Sequence, residues 1–246
     1  LYVGCAGGLD ANVTFKYAAE KTPVRNYTAA KITVKGLKGG HSGIQIGCQR
    51  ANANKVLFRF LNAASASHAV LLCSVDGGGL RNAIPREAFA TVAVMKKHEK
   101  AFQNAVKKFE KIYIDEYKGI EDGISFKAVP VKTPSKAINF FDQANLVDAV
   151  FGCPNGVMRM STSMPGLVQT SSNLARVVSE RGYFKIMCLL RSSVNTEKDD
   201  LALMIRTVFE LTGATVRTSG AYDGWNPNMD SPILRAMKAG YKELFG

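Results

Sequence analysis

The 246-residue sequence is poor in histidine and in clustered cysteine, and each scarcity excludes a class of protein. Its three histidines are scattered, with no HxD, HExxH or Glu-Glu pair, so these residues are not expected to form a complete zinc site. The five cysteines form no CxxC pair, which argues against a zinc ribbon or a disulfide framework. We therefore expect free thiols, four of the five buried among small and apolar residues, in a reducing cytoplasm.

Long apolar runs are also missing. None approaches the ~20 residues that span a bilayer, which excludes a transmembrane helix and predicts no membrane partner. The first residues have neither a basic segment nor an apolar one, so we expect no signal peptide, and a start at Leu1 without methionine suggests a fragment. A GxSxG elbow is absent, as is a Cys-His pair in a catalytic context, so nucleophilic catalysis is not indicated.

Positive charge, by contrast, is in excess, with 32 Lys and Arg against 20 Asp and Glu and a net charge of +12. Such a balance fits a polyanionic partner, or a protein whose acidic remainder lies elsewhere. The basic residues are spread over helices and loops, as at Lys96-Lys97 and Lys107-Lys108. Residues 181–186 begin like an RNA-binding RNP1 motif, but Phe184 stands where Gly or Ala is required. A solvated basic face is therefore favoured, and no nucleic-acid partner is expected.

Hydrophobic periodicity predicts alternating strands and helices in the first half of the chain. Apolar residues alternate with period two in strands and recur every three or four positions in helices. The resulting order is strand 30–35, helix 52–62, strands 69–75 and 88–94, helix 99–117 and strand 124–129. This β-α-β-β-α-β order is typical of a ferredoxin-like fold.

The second half repeats the theme less regularly. It is expected to contain helix 135–151, strands 156–161, 167–178 and 183–191, helix 196–211, strand 214–218 and an amphipathic helix 231–245. Asn195 is expected to cap the helix that follows it. The fold class predicted is therefore α+β, with two ferredoxin-like halves forming a broad antiparallel sheet that carries helices on one face.

One candidate functional residue is His41, which lies in a loop with four glycines at 36–43. Glycines let the backbone approach a ligand closely and leave the histidine without bulky neighbours. Such a histidine is suited to donate to an oxyanion, bind a metal or transfer a proton, or it is simply a loop residue satisfied by the backbone. His68 and His98 have polar and lysine neighbours and are expected at the surface.

Asn82, Arg191 and Trp225 are further candidates. The amide of Asn82, in a glycine-rich loop, is suited to hold a peptide group, although asparagine is also common in turns. Arg191 ends an apolar strand and needs an anionic partner, either a substrate carboxylate or a structural pair with Asp76 or Glu180. Trp225, in a turn-rich segment, fits a binding-site wall or packing at a domain edge.

Together, several segments resemble the aminoacyl-histidine dipeptidases of the M20 metallopeptidase family. The resemblance lies in residues 4–8, 36–43, 52–55, 80–91, 154–157, 190–192 and 220–225. It runs along the whole chain, which covers only about the middle half of the family's length. It implies the lid domain, which in this family is also the surface of homodimerisation, of a cytosolic enzyme that hydrolyses Xaa-His dipeptides such as carnosine.

The resemblance also implies roles for individual residues. His41 would stabilise the tetrahedral oxyanion, Asn82 would hydrogen-bond the substrate, and Arg191 would grip its C-terminal carboxylate. Thr170, Gly224 and Trp225 match positions that lie near the substrate-binding site in this family. The two zinc ions of the complete enzyme and its glutamate base would be held outside this chain, which is expected to bind no metal and no cofactor.

By the same resemblance the chain divides into catalytic-domain connections and a lid. Residues 1–28 are expected to be a remnant or hinge of the catalytic domain, and residues 219–246 to return into it. The lid is expected at 29–218, in halves of about 29–132 and 133–218. Two other functions stay open on the sequence: a stand-alone dimerisation or interaction module, and a basic nucleic-acid-binding domain.

Overall fold

The computed structural model describes residues 4–67 and 70–246, without the side chains of residues 66 and 67. His68, predicted to be a surface residue, lies outside the described residues. The long strands are β1 Gly7–Lys16, β3 Tyr27–Lys35, β5 Val70–Gly78, β7 Ala88–Met95, β8 Ser125–Val131, β10 Gly156–Met160, β11 Val168–Glu180, β12 Tyr183–Ser192 and β13 Thr215–Tyr222. The short strands are β2 Ala19–Lys21, β4 Gly40–His41, β6 Ala83–Ile84 and β9 Lys136–Ile138. The helices are α1 Ala53–Ser67, α2 Glu99–Glu116, α3 Phe140–Gly152, α4 Asn195–Glu210 and α5 Pro232–Phe245.

The nine long strands form one antiparallel sheet, in the order β13-β1-β12-β11-β5-β7-β3-β8, with β10 beside the start of β11. Strands β5, β7, β3 and β8, with α1 and α2, have the ferredoxin-like strand order. Strands β13, β1, β12 and β11, with α3 and α4, have the same order. The two units join where β5 pairs with β11, from Gly78 opposite Arg176 to Asp76 opposite Val178. The predicted α+β class with two ferredoxin-like halves is confirmed.

The two halves are nested and do not follow each other along the chain. The second half takes its first strand, β1, from before the first half and continues with α3 after it. Leu9, Ala11, Val13 and Phe15 are buried at period two in β1, and the strand pairs on both sides, with β12 and β13. A strand inside residues 1–28 is thus part of the sheet, and the division into lid and catalytic connections stays a prediction.

A continuous apolar core lies between the sheet and the helices. In the first half its centre is a group of aromatic rings in tilted and edge-to-face contact, which aromatic quadrupoles favour. These rings belong to Phe60, Phe102, Phe109, Tyr113 and Phe126. Helix α1 contacts both α2 and α3, and α3 contacts α4, so the helices form one layer over both halves. This layer makes the two halves a single unit.

Two local predictions are wrong. The helix expected from residue 135 begins only at Phe140, because Lys136–Ile138 form a strand that pairs with β2. Asn139 then caps α3, since its side chain accepts a hydrogen bond from the Asp142 N–H at 2.8 Å. Asn195 does not cap α4 but is its first residue. Its Oδ1 instead accepts the backbone N–H of Gly224 at 3.1 Å. Both differences arise from tertiary pairing, which local patterns do not contain.

The cysteines are all free, but the expectation of four buried thiols is wrong. Cys153 and Cys188 are buried, with their sulfur atoms 3.8 Å apart. Cys73 is half-buried, and desolvation raises the pKa of its thiol to about 11. Cys5, which forms an isolated bridge with Trp225, and Cys48, at the end of a single-turn helix, are exposed. No helix in the described part of the chain is both long and apolar enough to cross a membrane.

Candidate functional site

The predicted site residues gather around one end of the second half's strands. Because these strands are antiparallel, the starts of β1 and β11 meet the ends of β12 and β13 there. Arg191, near the end of β12, lies opposite Gly8 on one side and Ser171 on the other. The next residue, Ser192, lies opposite Gly7 and Thr170. The sheet thus places Arg191 between two strand starts.

His41 and Asn82 come to this end on a short ribbon contributed by the first half. Strand β4 pairs with β6, which sets His41 opposite Ala83, and the Ser42 N–H donates to the Asn82 carbonyl at 2.8 Å. Asn173 of β11 anchors the ribbon, because its Nδ2 donates to the carbonyls flanking Asn82, at 3.1 and 2.8 Å. The pairing of β5 with β11 therefore brings residues of both halves together.

Backbone contacts fix the ring of His41. Its Nδ1 accepts the N–H groups of Gly43 and Ile44, each at 3.2 Å. An imidazole nitrogen that accepts carries no proton, so in the neutral ring the proton lies on Nε2. Nε2 has no hydrogen-bond partner among the described residues, and the side chain is exposed. The loop thus satisfies one nitrogen and presents the other as an outward donor.

The guanidinium of Arg191 has an unused donor. Its Nη1 donates to the Tyr222 hydroxyl at 3.1 Å, while its Nε is buried and has no partner among the described residues. The structural pairs suggested by the sequence are not formed: Asp76 pairs with Arg176 at 2.6 Å, and Glu180 pairs with Lys185 at 3.3 Å. Arg191 therefore keeps its positive charge available for an anion from outside the described chain.

Gly43 separates His41 from Arg191. A Cβ built on Gly43 would lie 3.0 Å from His41 Cε1 and 3.2 Å from Arg191 Nε. Any larger residue would therefore press on both side chains, which the absence of a side chain avoids. The imidazole donor and the guanidinium are thus neighbours across one glycine, within a single chain.

Thr170 lies below this surface. It is buried, and its hydroxyl hydrogen-bonds Ser192 Oγ at 2.8 Å and donates to Glu197 of α4. Although desolvation raises the pKa of Glu197, hydrogen bonds from Gln169, Thr170 and Arg159 outweigh it and hold that pKa below its ordinary value. Thr170 therefore connects the strand ends to α4, and the partners of its hydroxyl are Ser192 and Glu197.

Gly224 and Trp225 follow β13 in a segment that pairs with the start of the described chain. Trp225 and Cys5 exchange backbone hydrogen bonds of 2.9 and 3.2 Å. A Cβ on Gly224 would lie 2.3 Å from the Ser192 carbonyl oxygen, so only glycine fits. The Trp225 side chain is 52% exposed at the rim. The structure thus sets this segment beside the end of β12, adjacent to Arg191.

Sequence reasoning assigned no role to two residues that support the site. Lys198 of α4 is only 3% exposed, and its Nζ donates to the Tyr222 carbonyl at 2.7 Å and to Asn195 Oδ1 at 3.2 Å. In the sequence, Lys198 precedes two aspartates and is typical of a solvated helix start. Tyr222 lies within the family-like segment 220–225, which was the only signal that pointed to it.

The described residues do not fit a zinc site. They contain no group of three His, Cys, Asp or Glu side chains placed to hold a metal ion. The side chains that lie close together here are the imidazole of His41 and the guanidinium of Arg191, with Asn82 on the adjoining ribbon, and the positive charge of Arg191 repels a cation. The arrangement instead suits a substrate that carries a carboxylate beside a polarisable carbonyl.

Comparisons with known proteins place the chain beside dipeptidases. Residues 24–121 match the family model described as the peptidase dimerisation domain. The chain is 35% identical over 245 residues to the cytosol non-specific dipeptidase of Escherichia coli K12, covering 100% of this chain and 50% of that protein. It also matches the crystal structure of aminoacylhistidine dipeptidase from Vibrio alginolyticus, with a TM-score of 0.96 and 37% identity, over 100% of this chain and 50% of that one. The chain thus spans about half the length of these relatives. Residues 24–121 thus form a peptidase dimerisation domain of the M20 type, and the whole chain is similar to half of each of these two dipeptidases.

Proposed function

We propose that this chain is the lid and dimerisation half of a zinc-dependent dipeptidase that hydrolyses Xaa-His dipeptides. The observation that carries the proposal is the placement of the His41 donor and the Arg191 guanidinium on either side of Gly43. In a dipeptide the scissile carbonyl and the C-terminal carboxylate are only a few bonds apart, so one molecule can reach both the His41 imidazole and the Arg191 guanidinium. Both relatives are named as dipeptidases, which supports a dipeptide substrate, and the name of the Vibrio alginolyticus enzyme supports the Xaa-His class.

In this proposal the chain's residues bind and polarise the substrate. His41 Nε2–H donates to the oxygen that becomes negative as the peptide carbonyl is attacked, and its fixed ring avoids reorganisation at that moment. Arg191 holds the C-terminal carboxylate through a charge-assisted hydrogen bond. Asn82 hydrogen-bonds the peptide group, while Thr170, Gly224 and Trp225 support the rim. Both ends of the dipeptide bond are thus held by one surface.

The proposal places zinc outside this chain, because the described residues do not form a metal site. No step of the chemistry assigned to these residues involves a metal. The segments 1–28 and 219–246 would connect to the metal-binding part, and α5 fits that role because it leaves Ile233, Met237 and Tyr241 exposed. We further propose that the complete enzyme is a cytoplasmic homodimer. The cytoplasmic location is proposed because the Escherichia coli relative is named as a cytosol enzyme, and the homodimer because residues 24–121 match a dimerisation domain.

The purified 246-residue chain is expected to fold and dimerise, yet to release no histidine from an Xaa-His dipeptide in the presence of zinc. The reason is that it lacks a metal site among its described residues while retaining an intact core. Light scattering measures the mass, and chromatography measures released histidine, with the complete protein as the positive control. Hydrolysis by the chain alone would contradict the proposal. A complete protein without dipeptidase activity would favour the stand-alone dimerisation module.

A further inference from the structure

Tyr222 is the described residue that hydrogen-bonds the side chain of Arg191. Its hydroxyl accepts from Arg191 Nη1 at 3.1 Å, from the last position of β13. No catalytic step requires a phenol here, and the Tyr222 side chain is 47% exposed at the rim. Because Tyr222 is half exposed and hydrogen-bonds an arginine, core packing does not explain its position.

The contact decides which edge of the guanidinium stays free. A guanidinium binds a carboxylate through two parallel N–H donors, either Nε with Nη2 or Nη1 with Nη2. The Tyr222 hydroxyl engages Nη1, so the edge formed by Nε and Nη2 is the one on which the structure shows no hydrogen bond from the described residues. Nε is buried without a partner and lies beside Gly43, on the side where His41 stands. The tyrosine therefore directs the free edge toward the loop that carries the oxyanion donor.

Tyr222 is itself fixed from two directions. It lies opposite Gly8 in the register of β1 and β13, and a Cβ on Gly8 would come within 2.3 Å of the tyrosine Cε1. The ring thus uses the space that the missing side chain of Gly8 leaves. The buried ammonium of Lys198 donates to the Tyr222 carbonyl at 2.7 Å. The hydroxyl position is therefore set by backbone register and by α4, independently of the substrate.

We propose that Tyr222 is a positioning residue for Arg191, and that it thereby sets the enzyme's preference for a dipeptide with a free C-terminal carboxylate. The inference rests on the proposed function and adds a specificity determinant to it. Tyr222 touches neither the scissile bond nor the carboxylate. It acts by holding one guanidinium nitrogen, Nη1, so that the other two, Nε and Nη2, are left for the substrate's terminus.

The test is Tyr222→Phe in the complete enzyme, assayed on an Xaa-His dipeptide and on the same dipeptide as its C-terminal amide. The ratio of kcat/KM between acid and amide is expected to fall about 10-fold, the scale of a hydrogen bond to a charged group. The change should appear in KM for the acid, while kcat and the amide kinetics stay nearly constant. The matched control is Tyr17→Phe, which removes a hydroxyl that donates to the Glu180 carbonyl at 3.0 Å, away from the site.

The outcomes separate the inference from the proposed function. A wild-type enzyme that prefers the acid and a variant with an unchanged ratio would overturn the positioning role. An equal loss on acid and amide, or a lower melting temperature with the same ratio, would show a structural role only and overturn it too. A complete wild-type protein that hydrolyses neither compound would overturn the proposed function, and the inference with it.

Discussion

Replacing His41 with alanine in the complete enzyme is expected to lower kcat on an Xaa-His dipeptide by about 100-fold or more, with little change in KM. This is the scale of losing one preorganised oxyanion donor. The backbone N–H groups of Gly43 and Ile44 hold Nδ1, so Nε2–H is in place before the negative charge develops. The stabilisation is therefore greater in the transition state than in the ground state, which places the loss in kcat.

The matched control is His98→Ala, which removes an imidazole from a single-turn helix before α2. Steady-state kinetics of both variants, with melting temperatures to exclude unfolding, complete the measurement. His98→Ala should retain wild-type kcat. An unchanged kcat in His41→Ala would mean that His41 is only a loop residue satisfied by its backbone contacts.

Replacing Arg191 with methionine is expected to lower kcat/KM for the free dipeptide by about 100-fold or more, mainly by raising KM. Removing one partner of a buried charge pair costs about 2–5 kcal/mol, and each 1.4 kcal/mol is tenfold. Arg191 has no acidic partner in the described chain, so the substrate's carboxylate would be its only anion. Methionine keeps the length and apolar contacts of the stem while it removes every donor.

Arg206→Met serves as the control, because Arg206 lies 3.8 Å from Glu210 one turn away on α4, and both side chains are about half exposed. Such exposed pairs contribute little. The kinetics of Arg206→Met should equal those of the wild type. If Arg191→Met hydrolysed the dipeptide with an unchanged KM, the carboxylate would bind elsewhere and the proposed role of Arg191 would fall.

Periodicity alone predicts most of the fold, because strands and helices with one buried face carry a local signal. The strand β3 and the helix α2 lie where their apolar patterns indicate. Strand β1 was not predicted, because it begins with two glycines and has Asp10 and Asn12 on its less buried face. The start of α3 was misplaced because residues 136–138 form a strand only by pairing with β2, which is distant in sequence.

The site is only partly visible in the sequence. His41 stands out through its glycine-rich loop, and residue chemistry makes Asn82 and Arg191 candidates, but for all three only the family resemblance chooses between a substrate role and a structural one. Their closeness depends on the pairing of β5 with β11 across about a hundred residues, which no local pattern specifies. The burial of Lys198 could not be predicted from the sequence for a related reason. It arises because the end of β13 lies against α4, where Lys198 Nζ donates to the Tyr222 carbonyl. The closeness of the site residues and the burial of Lys198 therefore depend on tertiary contacts, which local sequence patterns do not reveal.

In the proposed enzyme, one chain supplies both His41 and Arg191 to one active site. The most direct test is a mixed dimer, purified by two tags, that carries His41→Ala in one protomer and Arg191→Met in the other. If each site is built within one chain, neither site is intact, and dipeptidase activity should not exceed the residual activity of the single variants. Recovery of about half the wild-type activity would show that each site combines residues from two protomers, and would contradict a site built within one chain.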